Sequence, residues 1–414
     1  MKACVYTLGC KLNQYESFAV MNSLMEAGYD VEEGLKFADL YVINTCAVTA
    51  EAERKSRQVL SKIDKLNPQA KVIVLGCASQ KSPEQFEKKR SNLLIMGSFR
   101  KGRVLEFLWE SGVMLAEAPA EYEDDLYPCK PRTREYIKVQ DGCNNFCSYC
   151  IVPYLRGRSR SRSPESILAE IERFQTDCRE FVLTGINLSD YGRNLGLTLT
   201  DLVRSCRDVA QRIRFGSLEV NVITDEFLVA CQELQSFCPH FHLSLQSGAD
   251  AVLKAMNRRY TRAEYAAAAE RIRKYFPDAA ITTDVICGFP SESETDFQDS
   301  LSLCEAVAFS DIHVFPYSPR EGTAAYPLGA LPKETVLDRV GRLTALKRKL
   351  HTAYLERFIG KPLKVLTEEQ EGEFVVGYSE NYIKCYLDRS PLNRVVEAIP
   401  IGIYGDGVQA DPME

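Results

Sequence analysis

Cys143, Cys147 and Cys150 stand in "GCNNFCSYC", three and then two residues apart, just after a predicted strand. Three thiolates on one short loop can hold three irons of a four-iron, four-sulfur (4Fe-4S) cluster and leave the fourth iron open, as chemistry at the cluster requires. A cluster that only carries electrons would usually take a fourth cysteine. The competing reading is a structural zinc site completed by a distant ligand such as Cys129. The strand upstream and Tyr149 before the last cysteine favour the cluster.

Three more cysteines occupy matched positions: Cys10 after "YTLG", Cys46 after "VINT" and Cys77 after "VLG". Each ends a predicted parallel strand, and the carboxyl edge of an open α/β sheet is where such folds build their sites. They are read as a second three-cysteine ligand set, although any one alone would pass for a small buried hydrophobe. Cys4, Cys129, Cys178, Cys206, Cys231, Cys238, Cys287, Cys304 and Cys385 show no ligand spacing and are taken as packing residues. His240, His242, His313 and His351 form no metal or triad pattern in the sequence. His242 and His313 fall in predicted strands, as core or pocket residues.

Fifteen cysteines in 414 residues, with no export signal before them, fit a reducing compartment in which clustered thiols hold metal. The chain is expected to be soluble and cytoplasmic. Its apolar runs, such as Val72 to Ala78, are far short of the ~20 residues of a membrane helix. A net charge of -6 gives no global attraction to nucleic acid, so an RNA partner would need a local basic patch.

The elements that must position these residues fall into three α/β or β units. In residues 1–116, near-continuous apolar runs at 3–8, 39–45 and 71–76 predict strands of an open parallel sheet buried on both faces. Helices lie between them, one burying Phe18, Met21 and Met25, the next Val59, Ile63 and Leu66. Residues 117–132 are acidic and proline-containing, as a linker would be. In 133–356, six candidate strands (136–140, 180–185, 213–220, 241–245, 280–287 and 310–317) alternate with helices, which predicts a partial (βα)6 barrel. Residues 357–414 alternate as short strands at 362–369, 373–379, 382–387 and 395–405, predicting a small all-β barrel.

Taken together, "TLGCKLNQYES", "INTCAVT", "GCNNFCSYCIVPYLRGRSRSR", "LSLQSG" and "HVFPYSPREGT" resemble the methylthiotransferase family of radical S-adenosylmethionine enzymes over essentially the whole chain. The resemblance implies a methylthiotransferase amino-terminal domain, a radical S-adenosylmethionine core and a carboxy-terminal barrel similar to the RNA-associated TRAM module. Lys11, Leu12 and the residues after them are similar to the branch acting on N6-threonylcarbamoyladenosine at tRNA position 37. The family's other chemistry, on isopentenyladenosine or on an aspartate of a ribosomal protein, stays open, as does a non-catalytic metal-containing RNA-binding protein.

The resemblance implies a transferase of alkylthio groups with two 4Fe-4S clusters and S-adenosyl-L-methionine. Carbon 2 of adenine is an unactivated aromatic C–H that acid–base groups cannot open, so radical chemistry carried by a cofactor is the available route. Cys143, Cys147 and Cys150 would hold the cluster that binds and cleaves S-adenosylmethionine. Cys10, Cys46 and Cys77 would hold the one that carries the sulfur. The implied partners are the anticodon loop of tRNA and an electron donor such as a flavodoxin or ferredoxin, with no membrane and a monomeric chain.

Barrel strand ends supply the other cofactor-binding candidates. Gly185 and Asn187 would sit near the methionyl moiety, Glu219 near the ribose or amino group, and Gln246 and Asp284 come from later strands. Arg156, Arg158, Arg160 and Arg162 are expected to clamp tRNA phosphates, with Tyr154 as a base-stacking surface. In the terminal barrel acidic residues outnumber basic ones, so its RNA role rests on the resemblance.

Overall fold

In the computed structural model residues 1–87, 92–123 and 132–413 are described. Cys129 and half of the expected linker, residues 124–131, lie outside them. Among the described residues β1 (Lys2–Thr7), β2 (Asp30–Glu33), β3 (Leu40–Thr45), β4 (Lys71–Gly76), β5 (Leu93–Met96) and β6 (Gly112–Met114) form one parallel sheet in the order β2-β1-β3-β4-β5-β6. The three expected runs are β1, β3 and β4, and they lie side by side at its centre. β3 is buried along its whole length, which is why its sequence is apolar without alternation. β2, β5 and β6 were not expected from the pattern. They are short strands at or near the two edges, where "DVEE" and "GVM" need no apolar signature.

The first helix, Lys11–Glu26, buries Leu12, Tyr15, Glu16, Ala19, Val20 and Leu24 rather than Phe18, Met21 and Met25. It is covered on two sides, by its own sheet and by the barrel, so no single apolar stripe marks it. Phe18 instead takes the Arg132 guanidinium over its ring at 3.4 Å. The second helix, Ala50–Leu66, keeps Val59 and Ile63 buried as expected but leaves Leu66 exposed at its last position.

The central unit comprises β7 (Arg134–Lys138), the short antiparallel pair β8 (Gln140–Asp141) and β9 (Arg160–Ser161), then β10 (Glu180–Thr184), β11 (Arg212–Phe215), β12 (Ser217–Leu218), β13 (His240–Leu243), β14 (Ala280–Cys287) and β15 (Asp311–Pro316). Parallel sheets β11-β10-β7 and β12-β13-β14-β15 are joined by one run of chain that breaks at Gly216. The six staves of the expected partial barrel are therefore present. Alternation along the staves sorts the residues. Ile137, Phe181, Leu183, Ile213, Phe215, Phe241, Leu243, Ile281, Val285 and Ile312 pack outward under the helices. The opposite, interior face carries Arg134, Lys138, Glu180, Arg214, His242, Asp284 and His313.

Helix Lys333–Glu356 leads into a closed barrel of β16 (Leu363–Glu371), β17 (Phe374–Ser379), β18 (Lys384–Leu387), β19 (Val395–Tyr404) and β20 (Gly407–Pro412), in the order β16-β17-β18-β20-β19. β20, absent from the sequence reading, folds back on β19 and pairs with β18 to close the barrel. Tyr354, Leu355 and Phe358 at the helix end enter the barrel core beside Val365, Cys385 and Val408. Arg212 and Arg214 donate to the carbonyls of Tyr378, Ser379 and Glu380, which fixes this barrel against the central one. Among the described residues no helix is long and apolar enough to cross a membrane.

Candidate active site

Cys143, Cys147 and Cys150 lie on the loop that leaves β8, and their charges act on one another. Burial pushes the Cys143 thiol up to about 11 and the Cys150 thiol to about 12, so a metal must displace the protons for the thiolates to form. Gly142, at φ +71, lets the loop turn tightly: a Cβ there would lie 2.0 Å from the Arg158 carbonyl oxygen. The Asn145 N–H points to the Cys143 sulfur at 3.5 Å and Arg258 Nη1 to the Cys147 sulfur at 3.4 Å. Both donors would stabilise sulfur carrying negative charge.

Cys10, Cys46 and Cys77 also converge, since Cys46 feels the charge of both others and Cys10 that of Cys77. They follow β1, β3 and β4, three adjacent strands of one parallel sheet, so the shared register brings strand ends ~30 residues apart in sequence to one edge. Burial pushes the Cys46 thiol up to about 12. Gly9 (φ +108) makes the approach possible, because a Cβ there would meet Cys46 Cβ at 2.8 Å and its sulfur at 2.9 Å. Gly9→Ala is accordingly expected to empty this triad alone, cutting iron after anaerobic reconstitution roughly in half. Iron content equal to that of the native chain would remove this role for Gly9.

The two donor sets fit clusters better than single ions. Zinc bound tetrahedrally at ~2.3 Å needs sulfurs about 3.8 Å apart. Among the described residues the trio of His, Cys, Asp or Glu whose ligand atoms all lie within 4.8 Å of one another is His242, Asp284 and His313. Neither cysteine triad is drawn in that far, and all-thiol donors at wider spacing suit an iron–sulfur core.

One buried ionic network ties the two triads together. Glu16, six residues after Cys10, accepts from Arg156 Nη2 at 3.0 Å and from Lys138 at 3.0 Å, and pairs with Lys101. Arg156, six residues after Cys150, also reaches Asn13 Oδ1 at 2.7 Å. Burial alone would raise the Glu16 carboxyl, but Arg156, Lys101 and Lys138 hold it well below the usual carboxylate range. Across the same interface Arg320 pairs with Glu53, and Ser318 Oγ accepts from the Ala50 N–H at 3.1 Å. Glu16, Lys101, Lys138 and Arg320 were missed by sequence reasoning, because charged residues without a spacing pattern read as solvated surface.

The expected arginine clamp is corrected for three of its four members. Arg156, Arg160 and Arg162 are fully buried, their guanidiniums taken by Glu16, Asp141 and Glu170. The loop is folded into the interface between the two units, where a carboxylate stands opposite each of these arginines. Arg158 remains exposed and lies over the Phe146 ring at 4.6 Å, and exposed Tyr154 meets the same ring edge-on at 5.5 Å.

The other pocket candidates lie at the carboxyl ends of the staves. Glu219 Oε1 accepts from Asn145 Nδ2 and pairs with Arg258 Nη2, both at 2.8 Å, so it sits directly behind the Cys143–Cys150 loop. Gly185 packs against Gln140, and the Asn187 N–H donates to Gln140 Oε1 at 2.8 Å. Gln140, also missed from the sequence, donates through Nε2 to the carbonyls of Asp141 and Gly142 and so braces the cysteine loop. Gln246 holds a left-handed backbone (φ 67), the kind of costly conformation that collects at functional sites, and its N–H donates to the Asp284 carbonyl at 2.8 Å.

Asp284 stands apart from these, deeper in the barrel. It accepts from His242 and His313, and although burial would raise its carboxyl those two hydrogen bonds hold it well below the usual range. The sequence reading found no pattern among the histidines; the structure gathers two of them on one aspartate. Residues 242, 284 and 313 lie on three neighbouring staves, a proximity no linear spacing reveals. Of the nine cysteines taken as packing residues, the eight within the described residues are buried.

Comparison with known proteins agrees with this arrangement. Residues 137–304 match the Radical SAM superfamily and residues 2–97 a family described as Uncharacterized protein family UPF0004. The chain is 36% identical to the threonylcarbamoyladenosine tRNA methylthiotransferase MtaB of Bacillus subtilis, over 92% of this chain and 88% of that one. It is 37% identical to the protein of the same name from Thermotoga maritima, over 92% and 90%. The tRNA-2-methylthio-N(6)-dimethylallyladenosine synthase of Acetivibrio thermocellus is 33% identical, over 95% and 84%. Among solved structures, the radical S-adenosylmethionine methyltransferase TsrM of Kitasatospora setae superposes with a TM-score of 0.56 at 13% identity, covering 90% of this chain and 79% of that one, a likeness of fold. With one thiol triad on the loop after β8, a second at three matched strand ends and more than a third of its residues shared over nearly its full length, the chain belongs to the radical S-adenosylmethionine methylthiotransferase family, in the branch of the threonylcarbamoyladenosine tRNA methylthiotransferases.

Proposed function

We propose that the chain converts N6-threonylcarbamoyladenosine at tRNA position 37 to its 2-methylthio derivative, using S-adenosylmethionine and two 4Fe-4S clusters. The observation that carries this reading is the convergence of two separate all-thiol triads, one on the barrel and one on the neighbouring sheet, joined through Glu16 and Arg156. A single triad would serve radical generation alone; a second gives the chain a place to hold sulfur. When bound, the clusters supply the electron that opens the sulfonium and the sulfur that is transferred.

The chain's own residues hold and orient. Cys143, Cys147 and Cys150 ligate one cluster and Cys10, Cys46 and Cys77 the other. Gly185, Asn187, Glu219 and Gln246 surround S-adenosylmethionine at the stave ends, with Arg258 fixing Glu219. Phe146, Tyr154 and Arg158 offer RNA an aromatic and cationic surface beside the first triad. The electron comes from a flavodoxin or ferredoxin, and the enzyme works as a cytoplasmic monomer. Nucleoside mass spectrometry of tRNA from a strain lacking the gene tests the reading. The 2-methylthio derivative of threonylcarbamoyladenosine should vanish and its precursor accumulate; an unchanged level would refute the substrate.

A further inference from the structure

Inside the central barrel a third donor set stands apart from both cysteine triads. His242 on β13, Asp284 on β14 and His313 on β15 belong to adjacent parallel strands. Asp284 is the register partner of His313, and His242 is the partner of Thr282, two residues before Asp284 on the same face. His242 Nε2 lies 3.3 Å from Asp284 Oδ2 and His313 Nδ1 lies 3.0 Å from Asp284 Oδ1, and ligand atoms of all three fall within 4.8 Å of one another. Zinc held tetrahedrally by nitrogen and oxygen at about 2.0–2.2 Å needs donors about 3.3–3.6 Å apart, close to the spacing of both edges.

The surroundings support the same reading. Ligating histidines usually have the other ring nitrogen held by a second group. Here Thr282 Oγ1 stands 2.9 Å from His242 Nδ1, and Asp311, itself held by Lys347 at 3.1 Å, lies 3.8 Å from His313 Nε2. The two imidazole rings face each other at 5.4 Å and 29°. Charging both would set like charges together, so at least one stays neutral with a lone pair to offer. An ion pair with Asp284 needs one histidine; the second, brought in from a third strand, completes a ligand set that the sheet holds in place before any ion arrives. Two imidazoles and a carboxylate suit a divalent transition ion, whereas magnesium and calcium take oxygen donors. We propose that His242, Asp284 and His313 bind one divalent ion of the zinc class, at a metal site separate from both clusters. The His313 side chain is half exposed. The remaining coordination position therefore opens on solvent, as in sites that exchange water for an oxygen of a ligand and unlike closed structural ones.

The test uses the reconstituted full chain, equilibrated with zinc chloride and desalted, with zinc and iron both counted. It should carry one zinc beside the roughly eight irons of two clusters, since zinc stands above ferrous iron in affinity for such donors and displaces it. Competition with a chromophoric chelator should show zinc bound roughly 100-fold more weakly by His313→Gln and roughly 10-fold more weakly by Asp311→Asn, which removes only the carboxylate behind the ring. His351→Gln, on helix Lys333–Glu356 and bonded to the carbonyls of Ser310 and Asp406, should bind zinc as the native chain does. Iron content at the native level in each variant shows that the chain is folded. No zinc retained by the native chain, or zinc held equally by His313→Gln, overturns the inference. Zinc gained only as iron is lost places it on the thiols and overturns it too.

Discussion

Cys10→Ala is expected to leave cleavage of S-adenosylmethionine intact and abolish sulfur insertion, whereas Cys147→Ala abolishes both. The two triads occupy different sheets and are held by different glycines, Gly9 and Gly142, so removing a ligand from one leaves the other's loop in place. 5'-Deoxyadenosine formed on reduction reads the first activity and methylthiolated nucleoside the second. Each variant should retain about four of the roughly eight irons of the native chain. A Cys10 variant that no longer forms 5'-deoxyadenosine would contradict this division of labour.

Glu16→Ala is expected to destabilise the chain by about 3–5 kcal/mol, the usual consequence of removing one partner from a buried ion pair. Lys138 and Arg156 keep Asp141 as a second carboxylate, but Lys101 is left with Asn44 Oδ1 alone, at 3.0 Å. Denaturant unfolding measures the loss, with Glu51→Ala as control, since that exposed carboxylate pairs with exposed Arg54 and Lys55 and should cost under about 1 kcal/mol. The pH dependence follows from the same contacts. The folded carboxyl lies below its unfolded value, so its stabilising effect is complete above the ordinary carboxylate range and fades as pH falls through it toward the folded value. A loss equal to that of Glu51→Ala would show that Glu16 does not join the two units.

The cysteines were legible because metal chemistry imposes residue type and spacing together. C-x3-C-x2-C is a local constraint on one loop, and Cys10, Cys46 and Cys77 betray themselves by repeating one context, the end of an apolar strand. The central strands β1, β3 and β4 and the six barrel staves were legible for a related reason: double burial, or burial under helices, forces apolar residues at regular steps. Edge strands β2 and β6 and the closing strand β20 carry no such obligation and passed unseen.

The arginine run shows the limit most clearly. In the sequence its four charges are equivalent and look solvated, and only the fold places Glu16, Asp141 and Glu170 against three of them and leaves Arg158 exposed. His242, Asp284 and His313 come together in the same way, from three neighbouring staves. The sequence by itself determined the cofactor chemistry and the order of the units, since ligand spacing and apolar periodicity are properties of neighbours along the chain. Tertiary structure decided which of the charges are paired and which face solvent, because counter-charges arrive from anywhere in the fold and linear spacing does not record them.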